Sequence, residues 1–171
     1  MIRPRVLHTH SVPPAVVAAL VVCLTLLSAC GGAGAGGVSA EDRAEIGALF
    51  DGYLPRLADA YRTGDIEVLR GYASEKEMAT LYKLISDLME EKGRFISSEL
   101  KSYEIEEINI WRHSNATVRT TELWDVQTVA SGSDTVMSEM LDQRHRVVYQ
   151  LKRTEEGWRV ILRSRQAADS E

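Results

Sequence analysis

Glu122 stands among apolar neighbours: Val118, Thr120, Glu122, Trp124 and Val126 recur at a spacing of two, so an extended strand puts all five on one face. A carboxylate placed there costs several kcal/mol unless it is paired. Paired with an arginine, it is a structural ion pair. Unpaired in a pocket, its pKa climbs and it becomes a general base. His145 and Tyr149 share a face of a later segment with Leu141, Val147 and Leu151, and with Glu122 they make an acid/base set. A lone histidine on an apolar strand face is more often a hydrogen-bonded core residue, so the expectation is a paired Glu122 and no catalysis. The candidate pocket residues are Val118, Glu122, Trp124, Tyr149 and Trp158, although tryptophans such as Trp111, Trp124 and Trp158 more often fill the space between sheet and helices.

Other chemistries lack their residues. Without the first 29 positions only His113 and His145 remain as histidines, with no HExxH and no paired-histidine spacing, so no metal and no cofactor is expected. There is no nucleophile elbow, and the one glycine-rich segment, Gly31 to Gly37, has no lysine after it to make a phosphate loop. Beyond position 30 stand 18 basic and 25 acidic residues, a charge near −7. The signs are interspersed, which argues against nucleic acid and against attraction to anionic lipid. Arg159, Arg163 and Arg165 alternate near the end and read as a solvated face, with a partner or dimer surface as the alternative.

The elements that position these residues follow from periodicity. Ser39 with Asp42 resembles a capping box, and behind it Ile46, Leu49, Phe50, Tyr53, Leu54, Leu57 and Tyr61 form a helical stripe, with a bend expected at Pro55 and a stop at Gly64. Asp65 caps a second, short helix with Ile66, Leu69 and Tyr72; Ser74 and Glu77 open a third, carrying Met78, Leu81, Tyr82, Ile85, Leu88 and Met89 and ending at Gly93. After about Leu100 the period becomes two. Strands are expected over about Tyr103 to Trp111, with a bulge near Glu106-Glu107, then Ala116 to Val129, Val136 to Lys152, and Trp158 to Arg165. Asn115-Ala116-Thr117 matches a glycosylation sequon but reads as a hairpin turn. Residues after Gln166 read as a frayed tail. The fold class is α+β: three N-terminal helices on a curved four-stranded antiparallel sheet.

The first 30 residues have the parts of a secretory signal: Arg3 and Arg5, an apolar run from Ala15 to Leu27, then Ser28 and Ala29. Leu27-Ser28-Ala29-Cys30 resembles the bacterial lipoprotein lipobox. That resemblance implies removal of residues 1–29 and a diacylglycerol on the thiol of Cys30, which as thiolate is the strongest side-chain nucleophile at moderate pH. Several acyl chains, at about 0.8 kcal/mol per buried methylene, make a lasting anchor on the cell membrane or outer membrane. Residues 30–40 would then be the lipidated cysteine and a Gly/Ala-rich tether. Cys23 falls in the removed part, so the remaining chain forms no disulfide and its one domain depends on its core.

Over residues 41–165 the chain resembles the NTF2-like, or cystatin-like, cone fold. The resemblance rests on Ala60-Tyr61-Arg62-Thr63-Gly64-Asp65, on Glu122-Leu123-Trp124 and on Gly157-Trp158-Arg159-Val160. It is similar to the NTF2-like domain in the intermembrane-space region of plastid-division proteins and to such domains of bacterial envelope proteins, which implies a binding or scaffolding module. Other members of the fold are isomerases, cyclases or dehydratases, so fold alone does not choose. The expectation is a membrane-anchored, extracytoplasmic module that binds an envelope protein or a small apolar ligand. Its rival is an enzyme doing general acid/base chemistry on a small apolar substrate. A homodimer through the open sheet face is a further expectation.

Overall fold

A computed structural model describes residues 37–166. The signal segment, Cys30 and the tether up to position 36 lie outside the described residues, as does the tail after Gln166. The Ser39 hydroxyl accepts the Asp42 N–H at 2.9 Å and opens α1, Ala40–Thr63, which runs 24 residues through Pro55. Gly64, at φ 78°, closes it in the left-handed region that glycine adopts at no steric cost. Among the described residues no helix is long and apolar enough to cross a membrane.

Among the described residues two α-helices form rather than the three expected. The four residues Ile66–Leu69 make a single 3-10 turn, closed by Arg70 N–H to the Glu67 carbonyl at 2.9 Å, because so few residues between Asp65 and Gly71 cannot complete i→i+4 bonding. Ser74 caps α2, Glu75–Ser86, whose last turn widens into a π-helical segment, Asp87–Glu91. Gly93, at φ 58°, then turns the chain directly into β1, Arg94–Trp111. That strand begins well before Tyr103, and its first half is hidden in the sequence because Ser97, Ser98 and Glu99, half-buried or exposed, blur the apolar alternation.

β2, Asn115–Ala130, β3, Val136–Thr154, and β4, Gly157–Arg165, complete an antiparallel meander in the order β1-β2-β3-β4. The register slips between Ile105 and Glu107, where the sequence parity slips, and again between Leu100 and Ser102. Such bulges bend the sheet. Its concave face receives α1, whose Ile46, Phe50, Tyr53 and Leu54 are fully buried against Val118, Tyr149 and Val160. Phe50 and Tyr53 meet the Tyr149 ring edge-on, with centroids 4.8 and 6.0 Å apart, an arrangement aromatic quadrupoles favour.

Two contacts tie the helical layer to the end of the sheet. Arg153 of β3 pairs with Glu45 and, at 3.0 Å, with Asp42 of α1. The segment before α2 lies along β4: Val160 donates its N–H to the Tyr72 carbonyl at 2.9 Å, and Ser74 returns one to the Val160 carbonyl at 2.8 Å.

Candidate functional site

Glu122 is fully buried, and four side chains meet its carboxylate. Thr120 donates to Oε1 at 2.9 Å and Tyr149 to the same oxygen at 2.6 Å; the Trp124 indole N–H donates to Oε2 at 2.9 Å. Arg163 completes the set, its Nη2 at 4.0 Å from Oε2 and its Nε at 3.3 Å from the Tyr149 hydroxyl. The three donors on β2 and β3 come from strand period: Thr120 and Trp124 flank Glu122 on its own face, and Tyr149 reaches it diagonally from the neighbouring strand.

Arg163 arrives by a bulge. In β4, Val160 pairs with Leu151 but Leu162 pairs with Gln150, leaving Ile161 unmatched. The extra residue reverses the parity of everything after it. Trp158 and Val160 point inward before the bulge, and Arg163 and Arg165 share the inner face with their partners Tyr149 and Val147 after it. The solvated face expected for the three arginines is therefore corrected at Arg163, whose side chain is only 19% exposed. A cue was present in the sequence: Val160-Ile161-Leu162 is a run of three apolar residues that strict alternation cannot bury together.

Glu77 joins the cluster from α2. It is buried, and its carboxylate accepts the backbone N–H of Arg163. Burial raises its pKa, against the pull of the Arg163 charge. Burial likewise works against the Arg163 cation, yet Tyr149 and Glu122 outweigh it and hold the guanidinium firmly charged. Burial drives the Tyr149 hydroxyl well above its ordinary range, with Glu122 adding to the shift and Arg163 opposing it, so it remains a donor.

Above this cluster, between α1 and the sheet, lies a cavity of about 340 Å³. Its apolar wall is made by Leu57 and Ala58 of α1, Ile96 of β1, Trp124 and Val126 of β2, and Met140 of β3. Gln143, His145, Arg163 and Arg165 line it as well, with Tyr61 from the helix. The register segregates the two groups. Ile96, Val126 and Met140 lie in the rows beyond Trp124, whereas His145, Arg165 and Arg163 occupy the rows of Glu122, Val147 and Tyr149.

Glu122 and His145 are direct cross-strand partners, but no side-chain hydrogen bond joins them. Burial lowers the His145 pKa, the Arg165 charge lowers it further, and Glu122 opposes both, leaving a neutral imidazole at neutral pH. Of the five candidate pocket residues, Trp124 lines the cavity, while Val118, Glu122, Tyr149 and Trp158 sit in the buried layer with no part in its wall. Sequence reasoning did not single out Leu57, Ala58, Ile96 or Met140 for this wall, since a helical or strand stripe gives no sign of where facing layers stop touching. Among the described residues no group of three or more His, Cys, Asp or Glu could hold a metal ion.

Neither a protein-family model nor a curated protein sequence matches the chain. Solved structures do. The intermembrane space region of the chloroplast protein ARC6 is similar at 13% identity and a TM-score of 0.61, covering 77% of this chain and 99% of that one. A periplasmic fragment of TraM is similar at 12% identity and a TM-score of 0.52, covering 74% and 98%. A ketosteroid isomerase-like protein from Erwinia carotovora atroseptica is similar at 16% identity and a TM-score of 0.51, covering 76% and 100%. The chain shares its fold with these three structures. Identities this low carry the fold and nothing about the chemistry.

Proposed function

We propose that the chain is a lipoprotein, anchored through Cys30 on the outer face of a bacterial membrane, whose NTF2-like domain is a non-catalytic binding module for a small apolar ligand. The observation that carries this reading is the separation of the cavity from Glu122: the space is open and largely apolar, while the carboxylate beneath it is sealed by Thr120, Trp124 and Tyr149 and balanced by Arg163. A general base must come within hydrogen-bond reach of a substrate proton, and Glu122 has no part in the cavity wall. The volume lies within the roughly 300–1,000 Å³ usual for small-molecule sites. Support for an extracytoplasmic address comes from Leu27-Ser28-Ala29-Cys30, and two of the structural neighbours are a region of the intermembrane space and a periplasmic fragment.

One observation favours the enzymatic alternative, the neutral His145 imidazole on the cavity wall. It has no hydrogen-bonded carboxylate to orient it, the arrangement that a histidine base in general acid/base catalysis draws on.

The test has two parts. Cells expressing the full chain with labelled palmitate should label it on Cys30, and Cys30→Ser should abolish the label and release the protein from membranes; a labelled variant would overturn the anchor. An apolar fluorescent probe should bind the domain and be excluded by Ala58→Phe, which fills the cavity from α1. Binding indifferent to that substitution would overturn the pocket.

A further inference from the structure

We propose that the cavity takes a single-chain anionic amphiphile, a medium-chain carboxylate, with its head at Arg165 beside Gln143 and its tail along Val126, Met140 and Ile96. The inference rests on the binding-module reading and adds the chemistry of the ligand.

Charge in the cavity wall is unequal. Arg163 is committed to Glu122 and to the Tyr149 hydroxyl. Arg165 lies one cross-strand row nearer the apolar rows, opposite Val147, and among the described residues its side chain makes no ion pair or hydrogen bond. No carboxylate lines the cavity. An anion at its cationic end therefore meets Arg165 without displacing an existing partner, and planar guanidinium suits a carboxylate through paired N–H donors. Gln143, on the same wall, gives one amide N–H to the Leu141 carbonyl at 3.1 Å and has its second N–H for a ligand.

The tail follows from the register. Val126 and Met140 are cross-strand partners, and Ser98 and Ile96 continue the wall on β1. Leu57 and Ala58 line this channel from the helix, and Met140 is half exposed on the opposite wall. A polar head at Arg165 and an apolar chain along the rows beyond Trp124 match the order of groups along the wall. The volume of about 340 Å³ equals roughly eleven water volumes, enough for one short chain and too little for the two acyl chains of a phospholipid. Tail burial and head recognition thus select the same class of molecule.

The test compares decanoate, decanol and decylammonium by titration calorimetry on the full-length Cys30→Ser protein, which carries no acyl chain, in detergent-free buffer and below their aggregation thresholds. Decanoate should bind at least tenfold more tightly than decanol, and decylammonium more weakly than either. Arg165→Gln should remove the preference, and Arg165→Lys should restore part of it. Decanoate should also raise the His145 pKa, followed by its imidazole NMR signals, since a bound anion offsets the neighbouring Arg165 charge; decanol should not. Equal affinity for decanoate and decanol, or a preference that survives Arg165→Gln, overturns the inference and leaves the apolar pocket standing. If none of the three binds, the pocket itself falls and the inference with it.

Discussion

Tyr149 donates a 2.6 Å hydrogen bond to Glu122 although the two are not cross-strand partners: Tyr149 stands opposite Val118, and Glu122 opposite His145. The length of the tyrosine spans the diagonal, so the phenol reaches the carboxylate and leaves the histidine opposite free of it. This diagonal decides the character of the site. It spends the buried carboxylate on core structure and leaves the cavity lined by cations and apolar groups.

Glu122→Gln should lower stability by about 3 kcal/mol, because Arg163 keeps a largely buried charge without its counter-ion and the amide presents N–H groups to donors. Urea denaturation at neutral pH measures this. A variant that gained stability while keeping its fold would contradict the structural assignment and mark Glu122 as a strained functional group.

Tyr149→Phe removes only the hydroxyl and should cost about 2 kcal/mol, the range for a hydrogen bond to a charged group. In a double-mutant cycle with Glu122→Gln the two losses should fall short of additive, since both act on one carboxylate. Strict additivity would show that the hydroxyl acts elsewhere.

Gly52 lies inside α1, where alanine would ordinarily stabilise by about 1 kcal/mol. Here a Cβ would come within 2.2 Å of the Tyr72 ring, which also carries the Arg56 guanidinium at 4.4 Å from its centroid. Gly52→Ala should therefore destabilise, by about 1–2 kcal/mol of overpacking. A rise in melting temperature would mean that Tyr72 swings away at no cost.

Between Met140 and Gln143, both on the cavity wall, β3 carries two residues opposite the single Asp125 of β2. The second of them, Asp142, has φ 53°, donates its N–H to Asp125 at 2.8 Å and accepts from Lys101 at 2.8 Å. Asp142→Val should cost about 1–2 kcal/mol, since a β-branched residue resists the left-handed region, whereas Asp142→Asn should cost far less. Equal losses would place the cost in the ion pair with Lys101 instead of the backbone.

Two groups give stability opposite pH dependences. Burial raises the Glu77 pKa above its ordinary 4.5, so the folded chain keeps a proton that the unfolded chain releases; its contribution is fully present below 4.5 and is lost as pH rises through the raised value. Burial and Arg165 depress the His145 pKa below 6.5, so its contribution is present above 6.5 and is lost as pH falls towards the lower folded value. Urea titrations from about pH 4 to pH 8 should show Glu77→Gln gaining on the parent chain as pH rises and His145→Gln gaining as pH falls. Parallel curves would show that neither group shifts on folding.

The sequence discloses what repeats and hides what interrupts. The caps at Ser39 and Ser74, the stripe from Ile46 to Leu57 and the inner face of β2 are periodic and legible, and an arginine partner for Glu122 follows from the cost of burying it. Which arginine is hidden by Ile161, because one unmatched residue inverts the face of all that follow. Glu77 reads as a capping residue at α2, and only the approach of β4 turns its side chain into a buried neighbour of Arg163. The cavity was invisible for a different reason: it exists where α1 and the sheet diverge, and that depends on sheet curvature set by several bulges at once.

The segment from Tyr72 to Ser74, hydrogen-bonded on both sides of Val160, has a consequence for how many copies can share a surface. A four-stranded open sheet offers two edges for strand addition, and molecules at high concentration would meet edge to edge. This short stretch occupies part of the β4 edge with backbone of its own, while the β1 edge is broken by two register slips and carries Glu99, Glu104 and Glu106. Like charge and irregular pitch are the usual guards against sheet-to-sheet aggregation. The domain is thereby suited to crowding without fusing into fibres.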